Sequence, residues 1–157
     1  MNNRLAGLVT AAVALLVLAV AYFAQYVLHR PPCELCLWER WPYRLVVLLG
    51  VLGAMGKPRT TRFFLLLAGL VMVGDVGIAF LHVGVEQGWW NSPLPECNGM
   101  LVPGQPLPLV PATPCDRPIY LVTFLPLSMA FMDMIFATLF ALSLLVYGTR
   151  RERRYFR

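Results

Sequence analysis

The stretch LAGLVTAAVALLVLAVAYFAQYVL, residues 5–28, carries no charged side chain and is long enough to cross a bilayer as a helix. A spanning helix needs about 20 mostly apolar residues. Residues 35–55, residues 63–83 and part of 119–147 meet the same rule. Backbone polar groups cannot stay unpaired in lipid, and the alternation that marks a barrel strand is missing from these stretches, so helices win. The reading predicts an all-α, four-helix transmembrane bundle with helices at about 5–28, 35–55, 63–83 and 125–147.

Composition agrees with a chain built for lipid. Hydrophobic residues make up 59% and charged residues 13%, against roughly 45–50% and 25% in soluble domains, and the mean hydropathy is +0.66. Residues 1–157 leave no room for a separate soluble domain, so a single membrane domain with short connections is expected. The first apolar run follows Arg4, as in a signal peptide, but exceeds a typical signal core of about 7–15 residues and is read as a spanning helix.

Basic residues fall unevenly along this pattern. Arg4 stands at the start, Lys57, Arg59 and Arg62 in the second connection, and Arg150, Arg151, Arg153, Arg154 and Arg157 at the tail. With four spans all of them lie on one side, and the positive-inside rule makes that side cytoplasmic, with both termini inside. The net charge of +5 is explained by membrane topology and anionic lipid, so no nucleic-acid partner is expected. The opposite side carries Glu34, Glu39, Glu86, Glu96, Asp116 and every cysteine. Disulfides persist outside the cytosol, so redox chemistry is permitted there. The outward connection 84–118 is rich in proline and is expected to be extended, mobile chain: Pro93, Pro95, Pro103, Pro106, Pro108, Pro111, Pro114 and Pro118. Trp38, Trp41, Tyr43, Trp89 and Trp90 fit an interfacial aromatic belt.

Cys33 and Cys36 form a C-x-x-C directly after Pro31 and Pro32, where proline suits a first helical turn. A helix N-terminus favours the thiolate, the form that attacks and is oxidised, so the position fits a reactive pair. Arg40 follows Cys36 by four residues and shares its helical face, and an arginine this close to hydrocarbon is a functional candidate. Cys97 and Cys115 are too far apart for a zinc knuckle and fit a second disulfide better; no metal site is expected. Two unlike pairs point to an electron relay. Asp75 and Asp133 fall inside the third and fourth helices, where they either face each other, stay protonated or line a polar cavity.

Residues 32–43, Pro32-Cys33-Glu34-Leu35-Cys36-Leu37-Trp38-Glu39-Arg40-Trp41-Pro42-Tyr43, resemble the signature of the DsbB family, and His82-Val83-Gly84-Val85-Glu86-Gln87-Gly88-Trp89-Trp90 extends the likeness beyond the third helix. The resemblance implies a bacterial inner-membrane enzyme, a protein-dithiol:quinone oxidoreductase that reoxidises a DsbA-like periplasmic partner of thioredoxin fold. By the same resemblance Cys97 is attacked by the partner's thiolate, releasing Cys115, which exchanges with Cys33–Cys36. Cys36 then passes electrons to ubiquinone or menaquinone, with Arg40 and His82 near the quinone. Accessible, mobile loop cysteines for a protein partner and a membrane-edge pair for quinone fit that order. Residues Asp116 to Tyr120 lack a tryptophan common in the family.

Other readings compete. Vitamin K epoxide reductase-like enzymes also combine helices, a loop pair and a C-x-x-C with quinone, but place the C-x-x-C late, whereas here it comes first. A claudin-like scaffold with structural disulfides and a thiolate metal carrier are non-enzymatic alternatives.

Overall fold

A computed structural model describes residues 3–98, 113–120 and 127–150, and these form an all-helical protein. Its long elements are α1 (Asn3–Tyr26), α2 (Glu34–Met55), α3 (Pro58–Glu86) and α4 (Met129–Arg150), with a 3-10 turn at Pro95–Asn98 between the last two. Pro103, Gly104, Pro106, Pro108 and Pro111 lie outside the described residues, as do 121–126 with Pro126, and Arg151, Arg153, Arg154 and Arg157.

Among the described residues three helices, α1, α3 and α4, are long and apolar enough to cross a membrane. The outer surface is correspondingly greasy, with Leu16, Leu48, Leu70 and Leu139 exposed, while Ala14, Ala68, Ala79 and Ala137 are fully buried between helices. Small residues inside and large ones outside suit a bundle in lipid, where close backbone approach and packing hold helices together. Gly7 of α1 meets Gly50 and Ala54 of α2 so closely that a Cβ on Gly7 would lie 2.5 Å from the Ala54 amide nitrogen and 2.6 Å from the Gly50 carbonyl oxygen.

The helix ends differ from the periodic pattern for local reasons. α1 stops at Tyr26, before residue 28, because His29 takes a φ of 51° and the Arg30 amide turns back to the Ala24 carbonyl at 3.0 Å. α3 begins at Pro58 and takes in Arg59 and Arg62, which the sequence pattern leaves in a connection. Proline supplies the first-turn φ without needing its missing amide, and the Thr61 hydroxyl ties the turn to the Lys57 and Gly53 carbonyls. At its other end α3 absorbs Gly84, Val85 and Glu86, so the outward connection begins at Gln87 rather than at residue 84. α4 starts at Met129 rather than near 125, where the Ser128 hydroxyl accepts from the Phe131 amide and donates to Glu86.

α1 packs on α2, α2 on α3 and α3 on α4, whereas α1 and α4 do not close on each other in the same way. A cavity of about 320 Å³ opens in this gap, bounded by α1, α2 and α4.

Candidate active site

Cys33 is the N-cap of α2: its sulfur accepts from the Cys36 amide at 3.3 Å, and Cys36 lies in the first turn. Both cysteines are free thiols, with sulfurs 2.9 Å apart. A disulfide needs about 2.05 Å, so closure asks for little movement. The hydrogen bond with the Cys36 thiol, and then the hydrogen bond and charge of His82, outweigh burial and pull the Cys33 pKa down to about 5.

His82 of α3 is 2% exposed and stands between two partners. Its Nε2 is 3.4 Å from the Cys33 sulfur, and its Nδ1 is 2.7 Å from Oε1 of Glu39 on α2. Glu86, one turn on along α3, approaches Nε2 at 3.9 Å. Arg40 is also buried; its guanidinium donates to Oε1 of Gln25 on α1 at 2.6 Å and stacks 4.9 Å from the Tyr22 ring centre. The cation is therefore anchored to α1 by a hydrogen bond and a cation–π contact, and does not extend along α2 toward the helix end.

The cavity joins part of this group. Cys36, Glu39 and Arg40 line it from α2, with Leu16, Val17 and Ala21 from α1 and Met132, Asp133 and Phe136 from α4. His82 does not line it; the imidazole lies on the Cys33 side of Glu39. Tyr43 is a core residue at 2% exposure, donating to Asp133 Oδ1 at 2.7 Å, and so is no part of an interfacial belt. Burial is possible for a tyrosine because its hydroxyl finds an acceptor. Trp38, Trp41 and Trp89 are well exposed, whereas Trp90 folds back onto Gly84, its indole donating to the Leu81 carbonyl at 3.0 Å.

Cys97 and Cys115 form a disulfide with Cα atoms 4.9 Å apart. Both are buried, at 3% and 1% exposure, and they share one apolar cluster with Cys33, Leu35 and Val85, against which Cys36, Leu81 and Leu94 pack. The accessible, mobile bridge expected of a proline-rich loop is instead shielded: the 3-10 turn and the Cys115 amide, bonded to the Cys97 carbonyl at 3.3 Å, fold it onto the N-terminus of α2. The two cysteine pairs thus lie side by side.

Cys33, Cys36 and His82 hold their donor atoms within 4.8 Å of one another, the one such metal-compatible group among the described residues. Tetrahedral zinc keeps thiolate sulfurs about 3.8 Å apart, so a 2.9 Å spacing suits sulfur–sulfur bonding better than a metal.

A family model for DsbB, disulfide bond formation protein, matches residues 3–147. The chain belongs to the DsbB family. Its relatives include the uncharacterized protein RP370 of Rickettsia prowazekii (strain Madrid E), 27% identical over 124 residues, which cover 73% of this chain and 71% of that protein. The disulfide bond formation protein B of Herminiimonas arsenicoxydans is 31% identical over 85 residues, 54% of each chain, so the match spans about half of that relative. No solved structure matches significantly. DsbB membership and the apolar helices together make this a membrane protein, and an oxidoreductase of disulfide bond formation.

Sequence reasoning missed Glu39 and Gln25 as site residues. Glu39 follows Cys36 by three positions, a spacing that puts both on one helical face, and was open to detection on that ground. Nothing local marks Gln25.

Proposed function

We propose that the chain oxidises a DsbA-like dithiol protein of the periplasm and passes the electrons through Cys97–Cys115 and Cys33–Cys36 to ubiquinone or menaquinone in the inner membrane. One observation carries this reading: Cys36 and Arg40 border the same largely apolar cavity. Its volume of about 320 Å³ and its few polar groups amid aliphatic side chains suit the head of a membrane quinone. The quinone, as substrate, supplies the two-electron, two-proton acceptor.

The side chains divide the work. A partner thiolate attacks Cys97, forming a mixed disulfide and releasing Cys115. The partner's second thiolate then attacks its own mixed-disulfide sulfur, which leaves as the oxidised partner and frees Cys97. Cys115 exchanges with the Cys33–Cys36 disulfide, a short passage because both pairs share one buried cluster. Cys33, stabilised as a thiolate by the Cys36 hydrogen bond and the His82 imidazole, is suited to bond to Cys36 and restore the bridge as two electrons pass to the quinone. Arg40, held by Gln25, places a fixed positive charge where negative charge develops on a quinone oxygen. The cysteine pairs face the periplasm in this reading and the basic termini face the cytoplasm.

The test is quinone reduction by the purified chain supplied with a reduced DsbA-like protein. Stoichiometric quinol and oxidised partner support the reading, and the absence of quinol formation with an intact Cys33–Cys36 pair would sink it.

A further inference from the structure

Oxidising the reduced Cys33–Cys36 pair releases two protons, one from the Cys36 sulfur and one that the Cys33 sulfur shares with His82, and the two sulfurs stand differently to the cavity. Cys36 borders it, so its proton has no distance to cross. Cys33 is 3% exposed and does not line it. The Cys33 sulfur instead contacts His82 Nε2 at 3.4 Å, His82 Nδ1 contacts Glu39 Oε1 at 2.7 Å, and Glu39 borders the cavity. Electrons and the Cys33 proton therefore have separate routes to one space: the electrons through Cys36, the proton through an imidazole and a carboxylate.

We propose that His82 and Glu39 form a proton relay that carries the Cys33 proton into the cavity and delivers it to a quinone oxygen. The inference rests on the quinone reading above and deepens it. In the balanced step the Cys36 S–H bond breaks, its sulfur bonds to that of the Cys33 thiolate, and two electrons reduce the quinone. With Cys33 a thiolate its proton already sits on Nε2 of His82, and Nδ1 gives its own to Glu39, leaving the imidazole neutral. The Glu39 carboxyl hands its proton to one quinone oxygen and the Cys36 proton goes to the other, so the two released protons become the two quinol hydroxyl protons.

The pairing of His82 with Glu39 alone would fit an ion pair that merely braces α2 against α3. What argues for transfer is the order of the groups: the thiol at one end, the cavity at the other, and each ring nitrogen committed to one of them. Other titratable groups face the same region. Asp75 on α3 and Asp133 on α4 interact with Glu39, Cys33 and Arg40 share its helix, and Glu86 lies near His82. A pH profile alone would mix these groups, so the test is built on substitutions and an isotope.

The full chain in detergent, reduced beforehand by long incubation with excess dithiothreitol and then freed of it, is mixed with a short-chain quinone in H2O and in D2O. Glu39→Gln should slow quinone reduction roughly a hundredfold, within the usual reach of a general acid, and should change the solvent isotope effect. Glu39→Asp, which keeps the carboxyl, should recover part of the rate, and His82→Gln should resemble Glu39→Gln. A second readout needs no quinone: infrared difference spectra between the oxidised and reduced cysteine pair should contain a carboxyl band that is missing from Glu39→Gln. Wild-type rate and isotope effect in Glu39→Gln, or a difference spectrum without a Glu39 band, would overturn the relay while leaving quinone reduction intact. A wild-type chain that reduces no quinone would overturn the underlying function as well. Should Glu39→Gln fail to fold, Glu39→Asp and His82→Gln decide: full activity in His82→Gln rejects the relay, and parallel losses support it.

Discussion

Arg40 reaches across from α2 to donate to Gln25 on α1 at 2.6 Å, and it lines the same cavity as Cys36. A buried guanidinium with a neutral partner keeps its full charge available. The Gln25 amide and the Tyr22 ring orient the cation without cancelling it.

Arg40→Met should therefore slow quinone reduction by about a hundredfold, the loss typical of one electrostatic donor. Arg40→Lys should restore part of it, because an ammonium keeps the charge and loses the planar fork. Steady-state quinone reduction across quinone concentrations with saturating reduced partner checks this. Unchanged kinetics in the methionine variant would make Arg40 an interfacial anchor and nothing more.

Cys97→Ser should abolish exchange with the dithiol partner, while Cys115→Ser should let a mixed disulfide accumulate at Cys97, since resolution then lacks its thiol. Non-reducing gels of membranes report both. An undiminished partner oxidation rate in the Cys97 variant would mean direct attack on the α2 pair.

The acid side of the thiol chemistry follows from Cys33. Its pKa is lowered to about 5, so in the reduced protein it stays a thiolate as pH falls from the ordinary thiol value of about 8.5 and protonates only near 5. Alkylation of Cys33 by a neutral reagent, followed by peptide mass spectrometry, should hold level through this window and drop below it. Cys36→Ala removes the leading cause of the shift and should move the drop to higher pH.

Reporters fused after Arg157 or placed between Lys57 and Arg62 should report cytoplasm, and one inserted at Gly104 the outside. A cytoplasmic signal at Gly104 would reverse the orientation on which the periplasmic partner depends.

Gly7→Leu should lower the thermal stability of the detergent-solubilised chain by about 1–3 kcal/mol through overpacking. The cause is the close approach of Gly7 to Gly50 and Ala54. Gly74→Ala, with nothing within 4 Å of the added Cβ, is the matched control and should cost little.

Most of the architecture was legible because lipid imposes a simple rule: runs such as residues 5–28 have no soluble alternative. The C-x-x-C after two prolines was equally plain, since cap chemistry is local. What escaped depends on contacts between distant helices. Glu39 and His82 are 43 positions apart, and their pairing is invisible to any local pattern. Tyr43 has the composition of a belt residue, and only its bond to Asp133 on α4 reveals it as core. The proline-rich connection misled for a related reason: proline reports a lack of helix, and a chain without helix can still be folded down onto a neighbour, as Cys97 and Cys115 are.

That shielding sets the terms on which the protein meets other thiols. A disulfide at 3% and 1% exposure presents no open line of approach, so a small free thiol meets the apolar cover before it meets sulfur. Exchange rates depend on access as well as on driving force. In the proposed relay discrimination then rests on docking: a protein that grips the surface over the bridge and loosens the cover reaches the sulfur, and thiols that only collide with it do not. The cover over Cys97 and Cys115 thus separates the bridge from bulk thiols by access rather than by driving force.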